Sequence, residues 1–520
     1  MKPEILLSLI GALTVLPACV MTLIDSLHFF QLNSYNPITH RRWFKNNPKK
    51  YLIHLALGLC AAIAGFIPHF IASVAAWVVL MVVSAVVSVP KKAKKPLVYT
   101  PRVKRMMTTA FVLIAAAIAA GMLVSGAHAL FVFAVLLALS PYLSLAANFI
   151  NKPVEKGINR RYTNDAKRIL SECRPNLKVI GITGSYGKTS VKYYLTSLLK
   201  AKYNVLMTPE SYNTPMGVVK TIRGSLRSTH EIFVCEMGAR WEGDIKELCD
   251  IVNPDHGVIT SVGPQHLESF GSLDTVKKTK FELADSLDAG GMLFVNGDDQ
   301  NIKDFAYPRE AVTYGTTEGC DYMAFDLSVT HRGTSFSVKA PDGEVQEFTT
   351  RLLGKHSVIN ITGAVAVANK FGIPMKDLKG AVRKLEGVEH RLQLTERNGL
   401  TLIDDAYNAN PSGTKAALEA ISLFDGMRII VTPGMVELGE KQDELNREFG
   451  KDIADVCDYA VLVGEKQAKP IKQGLLDKGY SEDKIYVAPT IQQALTFVYA
   501  LNAGGKRKIV LLENDLPDNY

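Results

Sequence analysis

A glycine-rich turn between an apolar strand and a helical stretch constrains this chain more than any other feature. Residues 179–190 read VIGITGSYGKTS. Gly181, Gly184 and Gly187 let the backbone turn with its N–H groups inward, where a side chain would clash with phosphate oxygens. The next residues, VKYYLTSLLKA, have the pattern of a helix, whose N-terminus also attracts anions. The stretch therefore predicts a strand–loop–helix unit that binds a polyphosphate.

The residues that close this turn have separate chemical roles on a nucleotide. Lys188 supplies a mobile cation for the β- and γ-phosphates, and the Thr189 hydroxyl is a ligand for Mg²⁺. A glycine turn with a surface lysine is the bland alternative, and the flanking strand and helix argue against it. The predicted ATP-binding loop comprises Thr183, Gly184, Ser185, Tyr186, Gly187, Lys188, Thr189 and Ser190.

Long apolar runs lie almost entirely before residue 150, although the whole chain of 520 residues is 47% hydrophobic. The run at residues 51–89 has twice the length of a membrane span and contains Pro68 near its middle, which suggests two spans and a tight turn. The other runs long enough to cross a bilayer are residues 5–24, 106–124 and 129–147. We therefore predict about five transmembrane helices, followed by a soluble α/β region.

Basic residues between these runs indicate the topology. The net charge of +8 is concentrated in short loops before residue 150. Those loops contain Arg41, Arg42, Lys45, Lys49 and Lys50, and then Lys91, Lys92, Lys94, Lys95, Arg102, Lys104 and Arg105. The positive-inside rule places both loops, and all of the chain after residue 150, in the cytosol. The charge is thus a membrane-topology signal, and we expect no nucleic-acid partner.

Other interpretations of the apolar region have less support. Residues 16–19 resemble a lipoprotein cleavage box, but Pro17 within it and Glu4 near the N-terminus argue against it. A transport function would place ionisable residues in mid-membrane, and the runs contain few. The seven cysteines are scattered without a CxxC pair, which indicates neither a zinc site nor a disulfide framework.

The loop has the spacing G-x-T-G-S-x-G-K-T, because Ile182 stands where a strict Walker A sequence has glycine. In this spacing the chain resembles the Mur ligase family of ATP-dependent amide-forming enzymes. Further similar stretches follow in the family's order, among them TPESYNTPMGV, EIFVCEMGA and VITSVGPQHLESFGS. After residue 426, apolar strand stretches alternate with helical stretches, as in a Rossmann-like unit.

The resemblance completes a prediction for the fold and the domains. The fold class is multi-domain, with an N-terminal α-helical transmembrane bundle, an α/β P-loop ATPase domain and a C-terminal Rossmann-like α/β domain. We assign these domains to residues 1–150, 151–391 and 392–520, respectively.

Two residues that follow apolar strands are candidate metal ligands. Glu236 and His266 each come at the strand's carboxyl end, the edge at which nucleotide-binding sheets hold their ligands. The family's matching residues serve magnesium sites, whereas a lone histidine is more often structural. Lys280 matches a lysine that many members carbamylate, which would make it an oxygen ligand; a helix lysine on a charged face is the alternative. The resemblance therefore implies Lys188, His266 and Lys280 as catalytic residues, and Thr189, Glu236, His266 and carbamylated Lys280 as Mg²⁺ ligands.

The same resemblance implies contacts with the nucleotide and the acceptor substrate. Asn360 matches an asparagine on the adenine side, and Arg391 matches a nucleotide- or phosphate-directed arginine. Asn213 and Thr214 lie in the stretch that contacts the acceptor, although a simple polar loop remains an alternative. The ATP contacts outside the loop are predicted to be Asn296, Asn360, Arg391 and Asp405.

Residues 402–411 read LIDDAYNANP, a form that resembles the MurF subfamily, which adds D-alanyl-D-alanine to a UDP-muramoyl-tripeptide. By this resemblance Tyr407, Asn408 and Asn410 join the substrate residues, although Asn-Ala-Asn-Pro would also make a helix N-cap. The MVELGE stretch is similar too, but Gly434 precedes it where the subfamily usually has aspartate.

Two departures concern substrate recognition. Apolar runs occupy the place of the subfamily's UDP-sugar domain, and residues 508–520 read KIVLLENDLPDNY where the subfamily has a Lys-Gly-Ser-Arg-type segment near the acceptor site. We therefore predict a ligase on the cytoplasmic membrane of a bacterium. It would use ATP and Mg²⁺ to join a carboxylate on a small-molecule or lipid-linked cell-wall precursor to the amine of an amino acid or dipeptide.

Several alternatives to this function remain open. The first is the ordinary soluble substrate pair of the subfamily, UDP-muramoyl-tripeptide and D-Ala-D-Ala. A capsule or poly-γ-glutamate ligase is another. A non-catalytic ATP-binding membrane scaffold is opposed by the full set of phosphate and metal residues, since a protein without turnover would be free to lose some of them.

Overall fold

A computed structural model describes residues 2–89, 95–124, 126–210, 212–307, 309–388, 391–397, 400–406, 409–436 and 438–514. The chain divides into two compact units, of which the first extends to Arg160 and the second begins at Arg161. The three domain ranges predicted from the sequence stay predictions.

The first unit is built from α-helices. Proline at the first helical position begins four of them, where its missing N–H and fixed φ cost nothing. Buried side chains such as Leu23, Trp77 and Phe133 form its core. The helices are α1 (Pro3–Leu32), α2 (Pro37–Asn46), α3 (Pro48–Gly65), α4 (Phe70–Val87), α5 (Pro101–Met122) and α6 (Ala127–Leu139), then a 3₁₀ turn (Ser140–Tyr142) and α7 (Leu143–Cys173), which continues into the second unit.

Helix length and hydropathy agree with much of the predicted membrane region. Among the described residues, α1, α4, α5 and the run Ala127–Cys173 are long and apolar enough to cross a bilayer, whereas the apolar stretch Tyr51–Gly65 of α3 is shorter. The predicted run at residues 51–89 does form two helices, α3 and α4. The count of five spans stays a prediction because α3 is the short one.

A mixed sheet of nine described strands forms the first part of the second unit. Its strands are β1 (Lys178–Thr183), β2 (Val205–Met207), β3 (Ile232–Glu236), β4 (His256–Ile259), β5 (Leu293–Asn296), β6 (Ala311–Gly315), β7 (Tyr322–Thr330), β8 (Gly333–Lys339) and β9 (Val345–Thr350). The accompanying helices are α8 (Lys188–Leu199), α9 (Pro215–Ser225), α10 (Asp244–Val252), α11 (Leu267–Phe270), α12 (Leu273–Asp285), α13 (Gln300–Lys303), α14 (Lys355–Lys370) and α15 (Met375–Arg383).

The strand order of this sheet is β2-β3-β1-β4-β5-β6-β7-β8-β9. Pairs from β2 through β7 are parallel, and β7–β8 and β8–β9 are antiparallel. Because parallel strands present their carboxyl ends at one edge, the ends of β1, β3, β4 and β5 lie together. The antiparallel extension was not predicted from the sequence.

Apolar residues on both faces of β1 explain why this sheet is covered on both sides. Val179 packs in one buried cluster, and Ile180 and Ile182 pack in another. The first cluster includes residues of α10 and α12, and the second includes residues of α8 and α14. A strand buried on both faces is typical of a parallel sheet between two helical layers.

The rest of the second unit is a sheet of six described strands with its own helices. The strand order is β10-β11-β15-β12-β13-β14, parallel except for the β10–β11 pair. The elements are β10 (Gln393–Arg397), β11 (Leu400–Asp405), α16 (Pro411–Ser422), β12 (Met427–Thr432), a 3₁₀ turn (Gly439–Lys441), α17 (Gln442–Val456), β13 (Tyr459–Val463), α18 (Ala468–Asp477), a 3₁₀ turn (Glu482–Lys484), β14 (Ile485–Ala488), α19 (Ile491–Ala500) and β15 (Lys508–Glu513).

Candidate active site

The glycine-rich loop connects the end of β1 to the start of α8. Gly184 has φ +149° and Gly187 has φ +80°, both in the region that favours glycine. A Cβ on Gly184 would collide with the hydroxyl of Thr260, and one on Gly187 would lie 2.9 Å from Asn360 Oδ1. Both glycines are therefore required by conformation and by space, and the Asn360 side chain lies against the loop.

The segment after β4 holds this loop in place. The Ser185 N–H donates to the Ser261 carbonyl at 2.7 Å, and the Tyr186 N–H donates to Ser261 Oγ at 2.9 Å. The Tyr186 hydroxyl donates to the Pro264 carbonyl at 3.2 Å. This network puts the segment that leads to His266 against the glycine-rich loop, which we call the phosphate loop after its predicted ligand.

Lys188 folds back onto the loop. Its Nζ donates to the carbonyls of Gly184 at 2.7 Å and Ser185 at 3.0 Å. Burial lowers the pKa of Lys188 to about 8; the Glu236 carboxylate raises it and Arg391 lowers it. The Lys188 ammonium therefore binds two neutral carbonyl groups. A phosphate oxygen, which carries a negative charge, would be a stronger partner and would displace them.

Glu236, at the end of β3, is the centre of a buried polar cluster with Thr189, Lys192 and Asn213. Glu236 Oε1 accepts hydrogen bonds from Thr189 Oγ1 and Asn213 Nδ2, both at 3.1 Å. Lys192 Nζ lies 2.9 Å from Oε2 in an ion pair. We call these four residues the Glu236 cluster.

Lys280 lies on α12 with its side chain only 1% exposed. Its Nζ is 5.8 Å from the centre of the Phe270 ring. Asp244 and Glu282 act on it through their charges, but no carboxylate among the described residues forms an ion pair with it. Burial, and then the charge of Lys188, hold the pKa of Lys280 well below its usual range. The side chain is therefore a buried amine close to the phosphate loop.

His266 and Asn296 lie where the sequence predicts, at the carboxyl edge of the sheet. His266 adopts a left-handed φ of +51°, and its carbonyl accepts the Ser269 and Phe270 N–H groups at the start of α11. Asn296 donates from Nδ2 to the Thr260 carbonyl at 3.0 Å and accepts the Asp298 N–H at 2.9 Å. The amide of Asn296 therefore already joins the ends of β4 and β5.

The second sheet presents two carboxyl groups at its own strand ends. Asp405 and Glu513 are register partners on β11 and β15, and Glu513 is 1% exposed. Burial raises the pKa of Asp405 to about 6, while Arg391 lowers it. Because Arg391 also acts on Lys188, it lies within electrostatic reach of both the phosphate loop and this carboxyl pair.

Two predicted substrate residues cap helices. Thr214 Oγ1 accepts the Gly217 N–H at 3.4 Å at the start of α9, and Asn410 Oδ1 accepts the Gly413 N–H at 2.9 Å at the start of α16. Tyr407 and Asn408 lie outside the described residues. Asn514 donates to the Gly434 carbonyl at 2.6 Å and accepts the Ala409 N–H at 3.2 Å.

Sequence reasoning missed Lys192 and Glu513. Lys192 follows Lys188 by one helical turn, and the apolar residues of the helix pattern predict a buried face there. A lysine on a face that also carries Leu195 and Leu199 is a signal for a buried charge. Glu513 had no local signal, because only the pairing of β15 with β11 brings it to Asp405.

Comparison with known families accounts for most of the second unit. A profile described as "Mur ligase middle domain" matches residues 182–368, and one described as "Mur ligase, glutamate ligase domain" matches residues 390–512. The UDP-N-acetylmuramoyl-tripeptide–D-alanyl-D-alanine ligase of Bacillus subtilis is 34% identical over 324 residues, which cover 62% of this chain and 69% of the relative. The chain belongs to the Mur ligase family.

Other relatives agree on the subfamily of this Mur ligase. The enzyme of the same name from Escherichia coli is 30% identical over 62% of this chain and 73% of the relative. A crystal structure of MurF from Acinetobacter baumannii covers 70% of this chain and 78% of its own, with a TM-score of 0.63 and 27% identity. The crystal structure of MurF from Thermotoga maritima in complex with ADP matches with a TM-score of 0.60 and 27% identity. The match covers 69% of this chain and 80% of the Thermotoga chain. The chain is a MurF-like, ATP-dependent ligase.

Proposed function

We propose that this Mur ligase is held in the bacterial cytoplasmic membrane and joins a cell-wall precursor carboxylate to the amine of an amino acid or dipeptide. The observation that carries the proposal is the Glu236 cluster beside the phosphate loop. There, Thr189 and Glu236 face each other across 3.1 Å next to Lys188, at the carboxyl edge of a parallel sheet. P-loop enzymes use this combination of groups to bind a polyphosphate and its metal ion.

The reaction proceeds in two steps. An oxygen of the substrate carboxylate attacks the γ-phosphorus of ATP, and the bond from that phosphorus to the β–γ bridging oxygen breaks. ADP leaves, and the substrate is now an acyl phosphate. The amine then attacks the acyl carbon, loses a proton and displaces inorganic phosphate, which leaves an amide. Lys188 neutralises the charge that develops on the transferred phosphoryl group once it has left its loop carbonyls.

The residues of the Glu236 cluster fit a magnesium ion. Adjacent ligands of an octahedral Mg²⁺ lie about 2.9 Å apart, close to the 3.1 Å between Thr189 Oγ1 and Glu236 Oε1. Mg²⁺ would supply electrostatic stabilisation of the phosphate charge. No group of three or more His, Cys, Asp and Glu side chains in the described ranges gathers as a self-sufficient metal site, so phosphate oxygens and water would complete the shell.

A second ion would take His266 and a carbamylated Lys280. What supports modification is the setting of Lys280, whose Nζ is buried and has no carboxylate partner among the described side chains. An uncharged amine adds to CO₂, and the resulting carbamate offers oxygen ligands in place of a repelling ammonium.

Membrane attachment is supported by the helices of the first unit. Large apolar side chains are widely exposed on them, for example Leu13 at 74%, Leu59 at 65% and Leu123 at 89%. So many exposed large apolar side chains are unusual for a soluble protein and typical of one that faces lipid. The sequence predicts loops for these basic residues, but Arg41 and Arg42 lie in the short helix α2. With them and the other cations between the apolar runs on the cytoplasmic side, the ligase unit would lie in the cytosol.

A lipid-linked acceptor is our preferred substrate, because a membrane-held ligase meets such a precursor in the plane of the bilayer. The second candidate is the soluble pair named in its relatives, a UDP-N-acetylmuramoyl-tripeptide and D-alanyl-D-alanine. The two differ in what carries the carboxylate and share the amide-forming chemistry.

Phosphate release by the full chain in detergent tests these proposals. Soluble UDP-linked and lipid-linked precursors are supplied in turn, each with and without D-Ala-D-Ala, and Lys188→Ala is the blank. Phosphate release that needs both a carboxylate and an amine is expected. Turnover of only the soluble precursor would contradict the lipid-linked acceptor, and recovery of the chain in the soluble fraction of lysed cells would contradict membrane attachment.

A further inference from the structure

Lys192 is a completely buried lysine within the phosphate-loop helix. Its side chain is 0% exposed, and that of its partner Glu236 is 2% exposed. Besides the 2.9 Å ion pair with Glu236 Oε2, its Nζ donates to the Glu210 carbonyl at 2.7 Å. Lys192 therefore joins α8 to the end of β3 and to the segment between β2 and α9.

Stability alone is a poor reason for such an ion pair. Removing two charges from water costs several kcal/mol per ion, which is on the order of the energy gained from their attraction. An apolar pair of similar size often gives the same stability. Glu210 also adopts φ +28°, an uncommon conformation for a residue with a side chain. The buried charge of Lys192 and the uncommon backbone conformation of Glu210 are both unfavourable. Together they fix the position of the Lys192 Nζ.

The two oxygens of Glu236 face different partners. Oε1 is turned to Thr189 and Asn213 on the phosphate-loop side, whereas Oε2 is turned to Lys192. A carboxylate with a free torsion would instead be drawn towards Lys188, whose charge already acts on it electrostatically. The ion pair with Lys192 holds Glu236 away from that alternative.

We propose that Lys192 is a positioning residue that orients Glu236 so that Oε1, and not Oε2, is presented to the metal of the nucleotide complex. The inference rests on the proposed function in one respect, that Glu236 ligates Mg²⁺. Through the Glu210 carbonyl, Lys192 also fixes the segment that carries Asn213, so that metal ligand and acceptor segment share one anchor.

Metal affinity without turnover tests this role. Mn²⁺ binding is measured by electron paramagnetic resonance on the full chain in detergent, saturated with a non-hydrolysable ATP analogue. Lys192→Met keeps the length of the side chain and removes its charge. The expected result is a loss of Mn²⁺ affinity of about tenfold or more, since roughly 1.4 kcal/mol of lost orientation corresponds to tenfold. Analogue binding in EDTA should change less than about twofold.

Three further variants make the result specific. Lys200→Met, at the exposed end of α8, should leave Mn²⁺ affinity unchanged. Lys192→Arg keeps the charge and should fall between Lys192→Met and the parent protein; it also gives a second test if Lys192→Met does not fold. Glu236→Gln separates the two proposals. If Glu236→Gln leaves Mn²⁺ affinity unchanged, the metal site is wrong; if it weakens affinity while folded Lys192→Met binds like the parent protein, only the positioning role is wrong.

Discussion

Asp405 and Glu513 stand side by side at the ends of two neighbouring parallel strands, with their carboxyl groups within hydrogen-bonding reach. No described residue donates a hydrogen bond to either Glu513 oxygen. Two carboxylates repel each other, and a bond between them requires one shared proton. Burial and then the charge of Asp405 raise the pKa of Glu513 well above its usual range, while Arg391 lowers it.

This pair makes stability depend on pH. The hydrogen bond between the two carboxyl groups raises the pKa of Glu513 and lowers that of Asp405, so Glu513 holds the shared proton. Because the folded pKa of Glu513 lies well above its unfolded value of 4.5, the stability from this proton is fully present below pH 4.5 and is lost as the pH rises above it. Glu513→Gln supplies a permanent amide donor to Asp405. We expect the variant to be more stable than the parent protein by about 1–3 kcal/mol at pH 8, with a smaller difference at pH 5.

Melting temperatures at the two pH values check this expectation. Glu419→Gln, at an exposed position on α16, is the control for loss of one negative charge and should show no pH-dependent difference. An equal gain from Glu513→Gln at pH 5 and pH 8 would show that no proton is shared.

Gly434 stands at a turn that requires glycine by conformation and by space. The residue has φ +81°, and a Cβ would lie 2.7 Å from Gln467 Cβ and 2.8 Å from Asn446 Oδ1. Gly434→Ala should lower the free energy of unfolding by about 2–5 kcal/mol, because backbone strain and overpacking add. Gly464→Ala is a matched control, since Gly464 has φ +79° with open space around it. Similar losses of melting temperature in both variants would show that backbone strain alone is the cause and that overpacking at Gly434 contributes nothing.

The sequence was most informative where function and fold depend on neighbouring residues. The three glycines, Lys188 and Thr189 lie within one short stretch, and the structure shows the expected strand, loop and helix there. The apolar stretches after residue 426 likewise form β12 to β15. In both cases the pattern of side chains along the chain determines the local backbone, and no distant partner is needed.

Contacts between distant segments could not be predicted from the sequence. The position of β15 between β11 and β12 brings Glu513 to Asp405, and nothing near residue 513 indicates that neighbour. The antiparallel strands β7 to β9 were also missed, although short turns join them and their pairing needs no distant partner. Thr214 and Asn410 show a different difficulty, because a residue that caps a helix and one that binds a substrate follow the same local pattern.

Lys280 should react with CO₂. Protein incubated with ¹³C-bicarbonate is expected to show a carbamate signal in its ¹³C NMR spectrum, because the buried amine has no carboxylate partner among the described residues. Lys280→Met should lack the signal, and Lys278→Met, at an exposed position of the same helix, should retain it. Ligase activity should fall in CO₂-depleted buffer and recover with bicarbonate. A signal that persists in Lys280→Met would assign the carbamate to another lysine.

Arg105 and Glu155 form a two-bond ion pair in the helical unit, at 2.7 and 2.9 Å, and the Glu155 side chain is 9% exposed. Arg105→Met leaves that carboxylate without this partner and should lower stability by about 1–3 kcal/mol. In a double-mutant cycle with Glu155→Leu, the double variant should recover much of the loss, since the uncompensated charge is then gone.

Arg168 and Glu172 are the control pair. They approach to 2.6 Å but their side chains are 62% and 61% exposed, so water already screens their charges. Melting temperatures should therefore show coupling for the longer pair, whose carboxylate is buried, and none for the shorter, exposed pair. Equal coupling in both cycles would show that distance, and not burial, controls the strength of these pairs.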